Sequence, residues 1–188
     1  GEATSRLANW EETSIVPLPV FASPITAIFH LRTAAPPSAV SGIRTSLCPS
    51  GMVVALGVEK GDRVALYLPN CPPYIIGFYA ILKIGAIVAP NNPLYVPREL
   101  EFQINDAGAE TIICLSRFYP NVQKIRANTK LKNVIVTNVK EYFPPMLKTL
   151  FSLAVEKKEG HRVTLDPGDR WFQDVLASAP ATKPNVEV

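Results

Sequence analysis

The chain has 188 residues, 47% of them hydrophobic and 19% charged, with 19 Lys and Arg against 16 Asp and Glu and 18 Pro against 10 Gly. That composition is too apolar for a disordered chain, and a net charge of +3 lacks the dense basic stripe that a nucleic-acid backbone requires, so both classes drop out. Three widely spaced cysteines, Cys48, Cys71 and Cys114, with only His30 and His161, build no CxxC or HxxxH metal set and fit a reduced, cytoplasmic compartment.

Residues 1–50 stand apart from the rest. They hold Pro17, Pro19, Pro24, Pro36, Pro37 and Pro49. Thr13 to Leu31 carries no charged side chain, yet three prolines at about 3 kcal/mol each in a helix interior argue against a membrane span or signal segment. Residues 32–50 show neither helical nor strand periodicity, so 1–50 reads as an irregular leader and 51–188 as the folded body.

From there the pattern becomes regular. Arg63 to Leu68 predicts a strand that Pro69 stops. Pro72 and Pro73 open a helix and Gly85 closes it; its apolar side chains, Tyr74 to Ile84, go almost all the way round and predict burial on several sides. Ala86 to Ala89 is a second strand. Pro97 starts a helix with Leu100, Ile104 and Ala107 on one face, Glu99 and Glu101 in its first turn and Gly108 as its stop. Glu110 to Leu115 is a third strand, Ser116 is placed to cap a helix striped by Phe118, Val122 and Ile125, and Val134 to Thr137 is a fourth strand. Strand starts recur about every 23 residues, the repeat of a strand plus crossover helix, which predicts an α/β fold built on a parallel, right-handed sheet.

An amphipathic helix over residues 144–158 puts Leu147, Leu150, Phe151 and Ala154 on one side and Lys148, Ser152, Glu156 and Lys157 on the other. Packing against the body is the commoner use of such a helix; contact with an anionic membrane, helped by Lys140, Lys148, Lys157 and Lys158, is the alternative. Trp171, Phe172, Val175 and Leu176 predict one more short helix, and Pro180 and Pro184 a linker-like tail.

Chemistry is harder to find. No GxxxxGK[ST], GxGxxG, GxSxG or HExxH occurs, and Pro69-Asn70-Cys71-Pro72-Pro73 after the first strand cannot offer the run of N–H groups a phosphate needs. Cys71 lies where α/β ligands bind, but without a neighbouring His it reads as a small buried or capping residue. His161, between Gly160 and Arg162, reads as a surface residue in a turn, and Asn91, Asn92 and Tyr95 as turn residues after a strand.

The segment GVEKGDRVALYLPNCPPYIIGFYAILKIGAIVAPNNPLYVPREL, Gly57 to Leu100, resembles the N-terminal part of AMP-forming acyl-CoA synthetases of the adenylate-forming superfamily, with Leu82 to Pro90 as its LKxGA-type core. DAGAE, KEGHRV and WFQDVLASAP extend the likeness over about 51–188 and resemble long-chain fatty-acid–CoA ligases in particular. The resemblance implies ligation of a fatty acid to CoA with ATP and magnesium in the intact family. It also implies that the phosphate loop, the adenine-binding Thr-Glu pair, the ribose-binding Asp and the catalytic Lys are absent from these 188 residues. No catalytic, cofactor-binding or metal residue is therefore assigned, and the expectation is an N-terminal fragment without activity of its own. A non-catalytic α/β interaction module is the alternative. Val96 departs from the family, where a capping Thr is usual, and a fragment of this kind is expected to leave apolar helix faces and strand edges uncovered.

Overall fold

The computed structural model describes residues 49–179; the leader through residue 48 and the tail from 180 lie outside the described residues. Pro49 and Ser50 are already helical, inside the stretch read as leader.

Among the described residues the core is one five-stranded, wholly parallel sheet in the order β2-β1-β3-β4-β5. The strands are β1 (Arg63–Tyr67), β2 (Ile87–Pro90), β3 (Thr111–Leu115), β4 (Asn133–Thr137) and β5 (Arg170–Trp171). The helices are α1 (Pro49–Val54), α2 (Pro72–Leu82), α3 (Pro97–Ala107), α4 (Tyr119–Ile125), α5 (Pro145–Leu150) and α6 (Phe172–Ser178). β1, β3 and β4 are continuous apolar runs because both faces of the sheet are covered. Leu66, Ile113 and Ile135 meet Met52 of α1, Ile81 of α2 and Phe172 of α6 on one face. Ala65, Ile112 and Val134 meet Leu100 of α3 and Val122 of α4 on the other. β2 lies on one side of β1 while β3 and β4 lie on the other, so right-handed crossovers put α2 opposite α3 and α4, as observed.

Local chemistry fixes the helix ends. Two prolines open α2. Beyond it, Gly85 at φ +72° donates to Leu82 O (3.0 Å) while Ala86 N–H reaches Ile81 O (3.2 Å), a left-handed closure in which a Cβ would also fall 2.9 Å from Lys60 Cγ. Gly77 lets α2 settle onto the sheet: a Cβ there would stand 3.3 Å from Ile113 Cδ1 and 3.4 Å from Leu66 Cδ2. At the start of α3, Val96 N–H donates to Glu99 Oε2 at 3.1 Å, but an isopropyl group accepts nothing in return, a loss of about 1 kcal/mol relative to Thr.

Five departures from the sequence-based expectations concern the strands and helices from β1 onward. Ile75, Tyr79 and Leu82 form an exposed outward stripe, so α2 is covered on one side and not all round. β2 begins a residue later than expected and includes Pro90. Because the N–H groups of Ile87 and Asn91 point to β1 (acceptors Asp62 O and Leu66 O), the missing N–H of Pro90 falls on the outer edge, where a proline is tolerated. Ser116 caps nothing; it begins a 3-10 turn, Ser116–Phe118, and its hydroxyl turns to His161. Trp171 belongs to β5, a strand of two residues too short to show periodicity, and the helix starts at Phe172. Residues 144–158 are not one α-helix: α5 passes into a π turn, Phe151–Val155, whose wider winding rotates Glu156 inward and leaves Leu150 and Ala154 facing out.

Candidate functional site

In a parallel sheet ligands gather beyond the carboxyl ends of the strands, above all where the strand order reverses. Here the reversal falls between β1 and β3. Side chains of the chain itself close it: Tyr67, the last residue of β1, stacks obliquely on Phe118 (centroids 5.2 Å apart) and donates its hydroxyl hydrogen to Tyr95 O at 2.8 Å, while Asn121 Nδ2 donates to the Tyr67 oxygen at 3.3 Å. Tyr95 thus anchors the loop after β2. Asn92 Oδ1 accepts from Leu94 N–H (3.0 Å), turn chemistry as expected, and Asn91 is buried with Nδ2 on Ala89 O (2.9 Å). Cys71 is buried at the head of α2, where burial pushes its thiol up to about 11 against the opposing Tyr74 N–H, so it stays a protonated, inert thiol near neutral pH.

A cavity of about 370 Å³ opens beyond β4 and β5, walled by Thr137, Asn138, Lys140, Glu156, His161 and Trp171. Its polar groups answer one another. Lys140 Nζ stands 2.6 Å from Glu156 Oε1. Asn138 Nδ2 donates to that same oxygen (3.3 Å) and to His161 O (3.2 Å), while its Oδ1 accepts from Lys140 N–H (3.1 Å). The Ser116 hydroxyl lies 3.1 Å from His161 Nδ1, and Phe151 packs edge-on against the imidazole with centroids 5.4 Å apart. A Ser–His contact at this distance has the form of a nucleophile and its base, but Ser116 is fully buried and no substrate reaches it. Thr137 Oγ1 and Asn91 Oδ1 are the buried side-chain oxygens without a partner among the described residues, and both are sealed from solvent. The network therefore fastens residues 138–161 over the ends of β3 and β4.

His161 is 2% exposed, not the surface turn residue expected from its neighbours. The missed signal is Gly160, which closes the preceding turns so that His161 N–H bonds Glu156 O (2.8 Å) and the ring swings inward. Burial, and next the Arg117 cation, pull its pKa below the ordinary 6.5. The neutral ring is the folded form, whereas the unfolded chain takes up a proton at the ordinary value. The stability this provides is complete above pH 6.5 and is lost as pH falls. Between about pH 7 and pH 5, the unfolding free energy of the native chain is expected to drop more steeply than that of His161→Gln in denaturant titrations; equal slopes refute the assignment.

Prolines remove the amides after β1 that would cradle phosphates, and no group of three His, Cys, Asp or Glu suited to a metal occurs among the described residues.

Comparison with known proteins places this sheet. The long-chain-fatty-acid–CoA ligase of Bacillus subtilis (strain 168) is 40% identical over 102 residues, 54% of this chain and 18% of that protein. Its namesake in Escherichia coli O157:H7 is 42% identical over 101 residues, again 54% of this chain and 18% of the relative. A solved long-chain-fatty-acid–CoA ligase from Archaeoglobus fulgidus superposes with a TM-score of 0.56 at 24% identity, covering 77% of this chain and 23% of that one, a likeness of fold. The chain thus matches less than a fifth of the length of the B. subtilis and E. coli relatives. A family model described as AMP-binding enzyme matches residues 46–183, about three quarters of the sequence, and the chain belongs to that family.

Proposed function

We propose that this chain is the N-terminal portion of a long-chain fatty-acid–CoA ligase. The carrying observation is the identity of 40% and 42% to two such ligases over 102 and 101 residues, about half of this chain. In the intact enzyme ATP activates the fatty acid as an acyl-adenylate, CoA displaces AMP to give the thioester, and magnesium neutralises the phosphates. Those groups are assigned to the whole ligase, and the portion described above to scaffolding.

The same reading places the enzyme in lipid metabolism, in the cytoplasm, with peripheral membrane contact through residues 144–158. No helix among the described residues is long and apolar enough to cross a membrane. A chimera of the B. subtilis ligase carrying the matching segment of this chain is expected to keep ATP–pyrophosphate exchange dependent on a long-chain fatty acid, within about tenfold of the parent, while the 188-residue chain alone shows none. A chimera that melts cooperatively yet exchanges with no long-chain fatty acid overturns the proposal.

A further inference from the structure

Among the apolar side chains open on this surface, two helix stripes are told apart by charge. Ile75, Tyr79 and Leu82 of α2 lie in a stretch, residues 64–82, without one charged side chain. Met146, Leu150 and Leu153, at 80%, 59% and 81% exposure, recur at i, i+4 and i+7 along α5 and the π turn. Phe151 points the other way and anchors this segment by edge-on contacts to Phe143 and His161, each with centroids 5.4 Å apart.

The acids around the second stripe are all neutralised within the fold. Glu141 pairs with Lys148 (2.6 Å), Glu156 with Lys140 (2.6 Å) and Glu159 with Arg117 (2.9 Å). Lys157 and Lys158, exposed in the turn that follows, form no ion pair among the described residues, and neither does exposed Arg162. What remains is a row of long apolar side chains bordered by uncompensated cations. A protein interior would leave those ammonium groups desolvated and unpaired, whereas an anionic bilayer takes the apolar row below its headgroups and the lysines at its phosphates.

We propose that residues 145–158 are an interfacial anchor that lays Met146, Leu150 and Leu153 into the surface of an anionic lipid bilayer, with Lys157 and Lys158 on the headgroup phosphates. This deepens the membrane contact in the ligase reading and rests on it for its biological purpose, but the surface needs no ligase activity to bind. The test is flotation of the 188-residue chain with vesicles of phosphatidylcholine, with and without phosphatidylglycerol, because aggregated protein sinks while bound protein rises. Binding is expected only to the anionic vesicles and to weaken with salt. Lys157→Gln with Lys158→Gln should lower partitioning about thirtyfold, since each basic residue near such a surface contributes about 1 kcal/mol. Met146→Asp with Leu153→Asp should lower it at least about tenfold, while Tyr79→Asp on α2 leaves it unchanged. These positions are exposed, so circular dichroism should show the variants folded.

Failure of the unaltered chain to float overturns the anchor. So does binding that only Tyr79→Asp abolishes. Binding lost with the lysines but kept by the Met146 and Leu153 variants also overturns it, and points to an acidic soluble partner. Loss of ligase activity in the chimera with vesicle binding intact would sink the ligase reading and leave the anchor standing.

Discussion

Phe172→Ala is expected to lower the unfolding free energy by about 3–5 kcal/mol, read from denaturant midpoints at unchanged slope. The ring is fully buried at the first residue of α6 and joins the cluster that contains Met52 and Val53 of α1, Leu66 of β1 and Ile135 of β4. It therefore closes one face of the sheet from the far end of the described chain. Domains of this size are stable by only about 5–15 kcal/mol, so the loss takes a large share of the total. A loss below about 1 kcal/mol would show that α6 is an appendage and that the sheet holds without it.

The second large effect concerns a charge. Asp169 has a fully buried carboxylate that accepts two bonds from Arg126 Nη1, at 2.7 and 2.9 Å, and one from the Tyr119 hydroxyl at 2.6 Å. Tyr119 in turn accepts from Asp166 N–H at 2.9 Å, so the loop before β5 is tied to α4 through one phenol and one carboxylate. Burial and the adjacent Asp169 both hold the Tyr119 hydroxyl well above its ordinary pKa, so it remains a donor at any physiological pH. Removing one partner of a buried ion pair costs about 3–5 kcal/mol. Arg126 keeps 31% of its side chain in water, which reduces the expected cost of Asp169→Asn to about 2–3 kcal/mol. A double-mutant cycle with Tyr119→Phe should be non-additive because both changes alter the same Tyr119–Asp169 contact, one removing its donor and the other the charge of its acceptor, and strict additivity refutes the coupling.

The contrast between these residues and the strands shows what the sequence could disclose. β1, β3 and β4 were legible because a strand buried on both faces is apolar at every position, and the ends of α2 and α3 because Pro and Gly act within one turn. Asp169 gave no such signal: its partners stand 43 and 50 residues away and are brought to it by the parallel pairing of β5 with β4. His161 and Glu156 were misjudged for a related reason. A regular 3.6-residue period put Glu156 on the outer face, but the π turn at Phe151–Val155 adds to the winding and carries it onto Lys140. At the candidate site the legible part was Cys71 as a small buried residue at the head of α2. The cavity beyond β4 and β5 depends on tertiary contacts that no local pattern encodes.

Pro90 has a consequence for how copies of this chain meet one another. On the outer rim of β2 only Val88 still carries an N–H, since Ile87, Ala89 and Asn91 point theirs inward to β1. The opposite rim, β5, is two residues long. Among the described residues neither margin is a template on which another backbone could stack in register, so the sheet is poorly suited to growing into a fibre by adding strands at its edges.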